Sequence, residues 1–192
     1  MSAESLLEKA LKYRNYWKDK GGITVSGGEP LLQIEFLTEL FRKAKEAGVN
    51  TCLDTSGSPY TKEMVWHDKF LELMKYTDLV MLDIKEINEA DHIELTGLTN
   101  ANILEMATEL SDLGKPMWIR HVLVPGHSDN DDKLHALRAF TDTLKTVERI
   151  EVLPYHTLGV FKWEQLGIPY RLAGVSAPTA ERIENANRIL TE

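Results

Sequence analysis

The chain has 192 residues, of which 43% are hydrophobic and 27% are charged, and its formal net charge at pH 7 is -8. A chain of this length and composition typically folds as one soluble domain, which we expect to span residues 1–192. The acidic balance excludes general nucleic-acid binding, and no apolar run approaches the ~20 residues that cross a membrane. The single cysteine, Cys52, excludes an internal disulfide and, with no signal-like leader, predicts a cytoplasmic location.

Helical periodicity and short apolar runs rich in β-branched residues alternate along the chain. The predicted helices cover residues 4–18, 31–47, 62–76, 102–113, 131–144 and 179–190. The predicted strands cover residues 23–25, 49–53, 79–84, 117–124 and 150–153. Successive strands recur about every 30 residues, which is the length of a strand–helix unit with parallel strands. The order of elements therefore predicts an α/β fold with five parallel strands covered by helices.

The chain opens on a helix, whereas a β/α barrel opens on a strand. The pattern therefore predicts a TIM-like barrel with the first strand missing, so that strand 23–25 lacks one neighbour. An uncovered strand edge exposes unpaired peptide groups that pair readily with another chain. We expect a dimer through this exposed strand edge unless another segment covers it.

Polar residues follow the predicted strands, at the end of the sheet where parallel β/α folds bind their ligands. The first strand leads into Gly27, Gly28 and Glu29, and two glycines let a backbone approach a ligand closely. A Gly-Gly pair before a helix is equally a common structural turn. The later strands supply Asp54 and Thr55, then Asp83, Ile84 and Lys85, then Arg120, and finally His156. We expect all of these residues to meet at one rim of the sheet.

Asp54 and Asp83 close two different strands and are expected to face one another. Two carboxylates at ~4 Å repel by about 4 kcal/mol at an effective dielectric of 20, so a positive group is needed between them. Lys85, a metal cation or a ligand ammonium would serve, and Thr55 could add an oxygen ligand for a hard cation. The alternative is that each aspartate caps the loop or helix that follows it.

Three further residues need an account. Arg120 lies within an apolar strand, where an unpaired guanidinium is costly, so it must find a carboxylate, a ligand or a peptide carbonyl. His156 either hydrogen-bonds a ligand ribose or adenine, or hydrogen-bonds its own loop. Cys52, beside Asp54, is interpreted as a buried and unreactive thiol.

Five stretches, taken together in their order and spacing, resemble one known family. They are Gly-Gly-Ile-Thr-Val-Ser-Gly-Gly-Glu-Pro (21–30), Thr-Cys-Leu-Asp-Thr-Ser-Gly (51–57), Thr-Asp-Leu-Val-Met-Leu-Asp-Ile-Lys (77–85), Trp-Ile-Arg-His-Val-Leu-Val-Pro-Gly (118–126) and Leu-Pro-Tyr-His-Thr-Leu-Gly (153–159). From about Leu6 onward the chain resembles the pyruvate formate-lyase activating enzymes, which are glycyl-radical activases of the radical S-adenosylmethionine superfamily. The resemblance implies a partial (β/α)6 TIM-like barrel.

The resemblance also implies roles for the residues at the strand ends. Gly28, flanked by Gly27 and Glu29, would contact the amino group of S-adenosylmethionine. Four further residues would line the same cofactor, namely Asp83, Ile84, Lys85 and His156. A monovalent cation would be held by Asp54, Thr55, Asp83 and the carbonyl of Met81. Arg120 would orient the site near the peptide substrate.

In this family S-adenosylmethionine is cleaved reductively to methionine and a 5′-deoxyadenosyl radical, which takes hydrogen from a backbone glycine. The implied partners are the glycyl-radical loop of pyruvate formate-lyase and an electron donor of the flavodoxin or ferredoxin type, with no nucleic acid and no membrane. The family binds a 4Fe-4S cluster through Cys-x-x-x-Cys-x-x-Cys, and the single cysteine of this chain cannot replace that motif. We therefore expect a truncated radical SAM barrel domain without iron–sulfur ligands, inactive by itself.

Three alternatives remain at this point. The chain could belong to an activase of another glycyl-radical enzyme, although no cysteine-rich insertion follows Lys18. It could be a non-catalytic binding module derived from the barrel. It could also be a metal-dependent barrel lyase that uses Asp54, Asp83 and His156.

Overall fold

The computed structural model describes residues 1–18 and 21–192, and its centre is one parallel β-sheet. The five strands follow one another across the sheet in the order of the sequence, and every neighbouring pair is parallel. They are β1 (Gly22–Val25), β2 (Asn50–Thr55), β3 (Leu79–Asp83), β4 (Met117–Leu123) and β5 (Val147–Pro154). This order is that of a barrel wall, and the sheet is not closed, so the prediction of a partial TIM-like barrel is confirmed.

Helices connect the strands. They are α1 (Ala3–Leu11), α2 (Ile34–Glu46), α3 (Met64–Lys75), α4 (Glu89–Thr96), α5 (Ala101–Asp112), α6 (Asp131–Thr141), α7 (Val160–Leu166) and α8 (Ala180–Thr191), with short 3-10 turns at Arg14–Tyr16 and Pro30–Gln33. Side-chain oxygens of Ser2, Asn88, Asn130 and Thr179 accept backbone N–H bonds at the starts of four of these helices. Such caps satisfy donors that a first turn otherwise leaves unpaired.

The largest differences between the structure and the predicted elements concern three helices. The helix predicted over 4–18 ends at Leu11, and a 3-10 turn follows at Arg14–Tyr16. Helices α4 and α7 were not predicted, because each is short. The chain did carry signals for α4, since Asn88 caps its start and Gly97, with φ of 85°, ends it.

The two faces of the sheet have different environments. Side chains on the outer face pack against the helices, and Leu53, Val80, Leu82 and Ile119 are fully buried there. Each such leucine contributes about 1.5–3 kcal/mol by leaving water. The inner face, which carries Asp54, Asp83 and Arg120 among others, is only partly buried. The expectation of five parallel strands covered by helices is therefore confirmed. The helices lie on the outer face, and the inner face carries the polar residues, because alternate side chains of each strand point to opposite sides.

β1 and β5 form the two ends of the sheet. Within residues 1–18 and 21–192, β1 pairs with β2 alone. A dimer through the β1 edge stays a prediction. Across the same residues, no helix is both long and apolar enough to span a membrane.

Candidate functional site

The turn after β1 leaves its backbone open to the surroundings. Gly27 and Gly28 have φ values of 90° and 55°, which side chains other than glycine rarely adopt. Both residues are exposed, and a Cβ atom built on either would meet no atom within 4 Å. Packing therefore does not explain the glycines. The turn conformation does, and the free space beside it allows a ligand to reach the peptide groups.

Glu29 anchors this turn to the end of β2. Its Oε1 accepts from the backbone N–H of Leu31 at 3.0 Å and from the hydroxyl of Thr55 at 2.6 Å. Its Oε2 accepts from the backbone N–H of Ser56 at 2.9 Å and from the Ser56 hydroxyl at 2.6 Å. With both oxygens engaged, the carboxylate fixes the position of Gly27 and Gly28 beside the second strand.

Thr55 follows Asp54 directly and therefore points to the opposite face of the sheet. Its side chain is 3% exposed, and its hydroxyl donates to Glu29 and accepts from the backbone N–H of Gly57 at 3.0 Å. The structure thus separates the Thr55 hydroxyl from the carboxylate of Asp54, with which it was predicted to share a cation.

Arg120 supplies the positive charge beside Asp54. Its Nη1 donates to Oδ1 of Asp54 at 2.8 Å, and the two side chains are 24% and 22% exposed. We expected Lys85, a metal cation or a ligand ammonium in this place. The inner face of the strands instead brings in Arg120 from two strands away, which answers its need for a carboxylate.

Asp83 and Lys85 form a second pair at the same rim. Nζ of Lys85 donates to Oδ2 of Asp83 at 3.1 Å. Oδ1 of Asp83 is buried and has no hydrogen-bond partner in the described part of the chain. An unsatisfied buried acceptor costs about 1–3 kcal/mol, and a ligand ammonium would satisfy it. A cleft of about 200 Å³ opens beside the pair, lined also by Ser56, His92 and Leu98.

The remaining predicted residues have different placements. Ile84 is fully buried on the helix side, and its backbone N–H donates to the carbonyl of Arg120 at 2.9 Å, so its side chain offers a ligand no surface. Met81 lies on the inner face in register with Asp54 and with Trp118. His156 is exposed just beyond β5, directly after the buried Tyr155.

The structure therefore brings Gly27, Gly28, Glu29 and the pairs around Asp54 and Asp83 to one end of the sheet. The sequence interpretation missed Glu151, which lies on β5 in register with Arg120. A signal existed, because Arg149 and Glu151 are two residues apart on a strand next to Arg120, and such residues share a face.

Cys52 lies on the inner face and is half-buried, so the interpretation of a buried thiol is corrected. Burial, together with the nearby Asp54 carboxylate, raises the pKa of Cys52 above its ordinary value. A raised pKa disfavours the thiolate that binds iron. With one cysteine in the sequence, the residues of this chain do not fit an iron–sulfur cluster.

A metal-dependent lyase would need a cluster of metal-ligating side chains. Over residues 1–18 and 21–192, no three His, Cys, Asp or Glu side chains are grouped to hold a metal ion. The alternative of a metal-dependent lyase with Asp54, Asp83 and His156 as ligands thus finds no support.

Comparison with known proteins identifies the family. The Radical SAM superfamily matches residues 1–137. A pyruvate formate-lyase-activating enzyme of Streptococcus mutans is 51% identical over 189 residues, which are 98% of this chain and 72% of that protein. The chain belongs to the pyruvate formate-lyase-activating enzyme family. The enzyme of the same name from Listeria monocytogenes is 46% identical over 190 residues, covering 98% of this chain and 77% of that protein.

A solved structure supports the fold of this family. A domain of the pyruvate-formate lyase-activating enzyme from Bacteroides vulgatus superposes with a TM-score of 0.70 at 24% identity, covering 88% of this chain and 92% of that one. The sequence matches favour the pyruvate formate-lyase type over an activase of another glycyl-radical enzyme, and an enzyme family over a binding module. The radical SAM family implies S-adenosylmethionine and a 4Fe-4S cluster as cofactors.

Proposed function

We propose that this chain forms the S-adenosylmethionine-binding barrel wall of a glycyl-radical activase that acts on pyruvate formate-lyase. The observation that carries the proposal is the open Gly27–Gly28 turn at the same rim as Asp83, whose buried Oδ1 has no partner in the described residues. With one electron from the 4Fe-4S cluster of the family, bound S-adenosylmethionine would be cleaved to methionine and would supply the radical chemistry that removes a hydrogen atom from a glycine of the partner.

The residues of this chain bind and orient the cofactor in this proposal. The peptide groups at Gly27 and Gly28 face the methionine part, and Oδ1 of Asp83 accepts from its ammonium group. Lys85 and His156 line the remainder of the cofactor. Ile84 contributes indirectly, since its burial fixes the backbone between Asp83 and Lys85.

Glu29 also acts indirectly in the proposal, because its oxygens hold the glycine turn against β2. A monovalent cation at Asp54, Thr55, Met81 and Asp83 stays a prediction. Arg120 and Lys85 each contact one oxygen of the two aspartates, so a cation would share these carboxylates with the two basic side chains.

The partner proposals follow from the family. Arg120 is proposed to face the glycine-bearing segment of pyruvate formate-lyase, and the electron donor to be a flavodoxin or ferredoxin. We expect the protein in the cytoplasm. Because the chain's own residues do not fit a 4Fe-4S cluster, we expect no radical formation by this chain alone.

Amide chemical-shift mapping with millimolar S-adenosylmethionine tests the cofactor proposal. We expect weak binding, with shifts confined to Gly27, Gly28, Lys85 and His156. The Asp83→Asn variant should lose these shifts, whereas Asp68→Asn, at an exposed position on α3, should keep them. An absence of shifts at the rim, or shifts that survive Asp83→Asn, would contradict the proposal.

A further inference from the structure

Glu151 lies beside Arg120 on the inner face of the sheet. The two residues are in register on β4 and β5, and Oε2 of Glu151 is 3.9 Å from Nε of Arg120. That Nε is buried and has no hydrogen-bond partner within residues 1–18 and 21–192. A buried guanidinium N–H without a partner is costly. A shorter contact between Oε2 of Glu151 and Nε of Arg120 would therefore be favourable.

Glu151 is itself held in place from the opposite side. Its Oε1 is 2.9 Å from Nη2 of Arg149, and the guanidinium of Arg149 lies 5.0 Å from the ring centre of Trp118. The side chain of Glu151 is 21% exposed, whereas that of Arg149 is 56% exposed. The order of charges across the face is thus Asp54, Arg120, Glu151 and Arg149, with the signs alternating.

Two carboxylates that contact different edges of a guanidinium restrict its orientation more than a single carboxylate does. Asp54 accepts from Nη1 of Arg120, and Glu151 faces its Nε. A guanidinium has five N–H donors in a fixed fork, so two carboxylates still leave donors for the carbonyl groups of a polypeptide. With Asp54 alone, a single hydrogen bond would hold the Arg120 guanidinium, and its plane could rotate about that bond.

We propose that Glu151 is a positioning residue, which holds the Arg120 guanidinium in the orientation that receives the glycine-bearing segment of the partner. The inference rests on the proposed function, because it takes Arg120 to face that segment. Glu151 itself acts only through Arg120.

The test measures peptide affinity in a double-mutant cycle. The probe is a labelled synthetic peptide with the glycine-loop sequence of the Streptococcus mutans pyruvate formate-lyase, added to the full chain with S-adenosylmethionine, and binding is read by fluorescence anisotropy. Glu151→Gln keeps the shape and removes the charge. We expect about three- to tenfold weaker binding, and less than about twofold when Arg120 is already replaced by Gln.

Glu148→Gln is the matched control, because Glu148 is an exposed residue of the same strand, and it should change affinity less than about twofold. If Glu151→Gln fails to fold, Arg149→Gln removes the exposed partner that orients Glu151. That variant should weaken binding by about two- to threefold, again only when Arg120 is present.

The outcomes separate the inference from the proposed function. If Arg120→Gln weakens binding while Glu151→Gln does not, or if Glu151→Gln acts equally with and without Arg120, the positioning role is wrong and the proposed function stands. If the unchanged chain does not bind the peptide, the proposed partner is wrong, and the inference falls with it.

Discussion

Arg120 on β4 donates a hydrogen bond of 2.8 Å to Asp54 on β2, and this contact joins two strands that are not neighbours in the sheet. The partners are 66 residues apart in sequence. The pair supplies the counter-charge that a carboxylate on the inner face requires. It also fixes the guanidinium at the rim where the proposed cofactor site lies.

Replacing Arg120 by Gln leaves Asp54 partly buried without its cation. We expect a loss of about 1–2 kcal/mol in the free energy of unfolding, at the lower end for a charged hydrogen bond because both side chains keep some contact with water. Urea denaturation measures the loss. The control is Arg42→Gln, since Arg42 pairs with Glu46 on the exposed surface of α2 and should cost less than about 0.5 kcal/mol. Equal losses would show that the Arg120–Asp54 pair stabilises the fold no more than an exposed ion pair does.

Glu29→Ala removes an acceptor that serves four donors at the turn after β1. We expect about 2–4 kcal/mol of destabilisation, because Thr55 and the Ser56 N–H lose their partner in a partly buried site. Thermal and urea unfolding report it, with Glu39→Ala on the exposed side of α2 as the control. If Glu29→Ala lowers the free energy of unfolding no more than Glu39→Ala does, the Glu29 carboxylate does not hold the turn.

Gly28→Ala and Gly57→Ala should differ in stability although both residues have positive φ. Each alanine costs about 1–2 kcal/mol for the left-handed conformation. At Gly57, with φ of 71°, the new Cβ would also lie 2.9 Å from Leu82, so the core must shift. At Gly28 the space is empty. We expect Gly57→Ala to unfold at a distinctly lower urea concentration than Gly28→Ala. Similar unfolding midpoints would show that the contact between the new Cβ and Leu82 does not destabilise the core.

Asp78 makes the stability of the fold depend on pH. It lies at the end of the sheet opposite the proposed cofactor site. Its carboxylate accepts from the backbone N–H of Thr51 at 2.9 Å and from Lys45 at 2.7 Å. Burial acts to raise the pKa of Asp78, but these hydrogen bonds outweigh it and lower the pKa below the ordinary 3.8. The stabilisation is therefore present above that value and is lost as the pH falls through the lower pKa of the folded state.

Asp78→Asn should accordingly reduce the free energy of unfolding at pH 7, by only about 0.5–1 kcal/mol because the Asp78 side chain is 40% exposed and water screens its charge. The gap between the variant and the unchanged chain should begin to narrow below about pH 4, where Asp78 is protonated in the unfolded chain. It should narrow further as the pH falls through the lower pKa of the folded state. Urea unfolding from pH 7 to pH 3 measures this gap. A gap that stays constant or widens toward acid would show that charge on Asp78 does not stabilise the fold.

The sequence by itself determined the succession of strands and helices, the parallel direction of the strands and the end of the sheet at which the polar residues gather. Apolar runs at regular spacing carry this information, because a strand–helix unit of this length leads to a parallel strand. The Gly27–Gly28 turn was also readable, since positive φ favours glycine. Periodicity could not reveal the short helices α4 and α7, because about two turns give too little of it to recognise, although the Asn88 cap and Gly97 were signals for α4.

Only the tertiary structure decided which charges meet. Alternation along a strand assigns residues to a face, but it does not say that Arg120 reaches across β3 to Asp54 or that Glu29 binds Thr55. Those contacts depend on the register of the strands and on the length and direction of each side chain. Both are set by packing between segments far apart in sequence, so the partners of Arg120, including Glu151, appear only once the strands lie side by side.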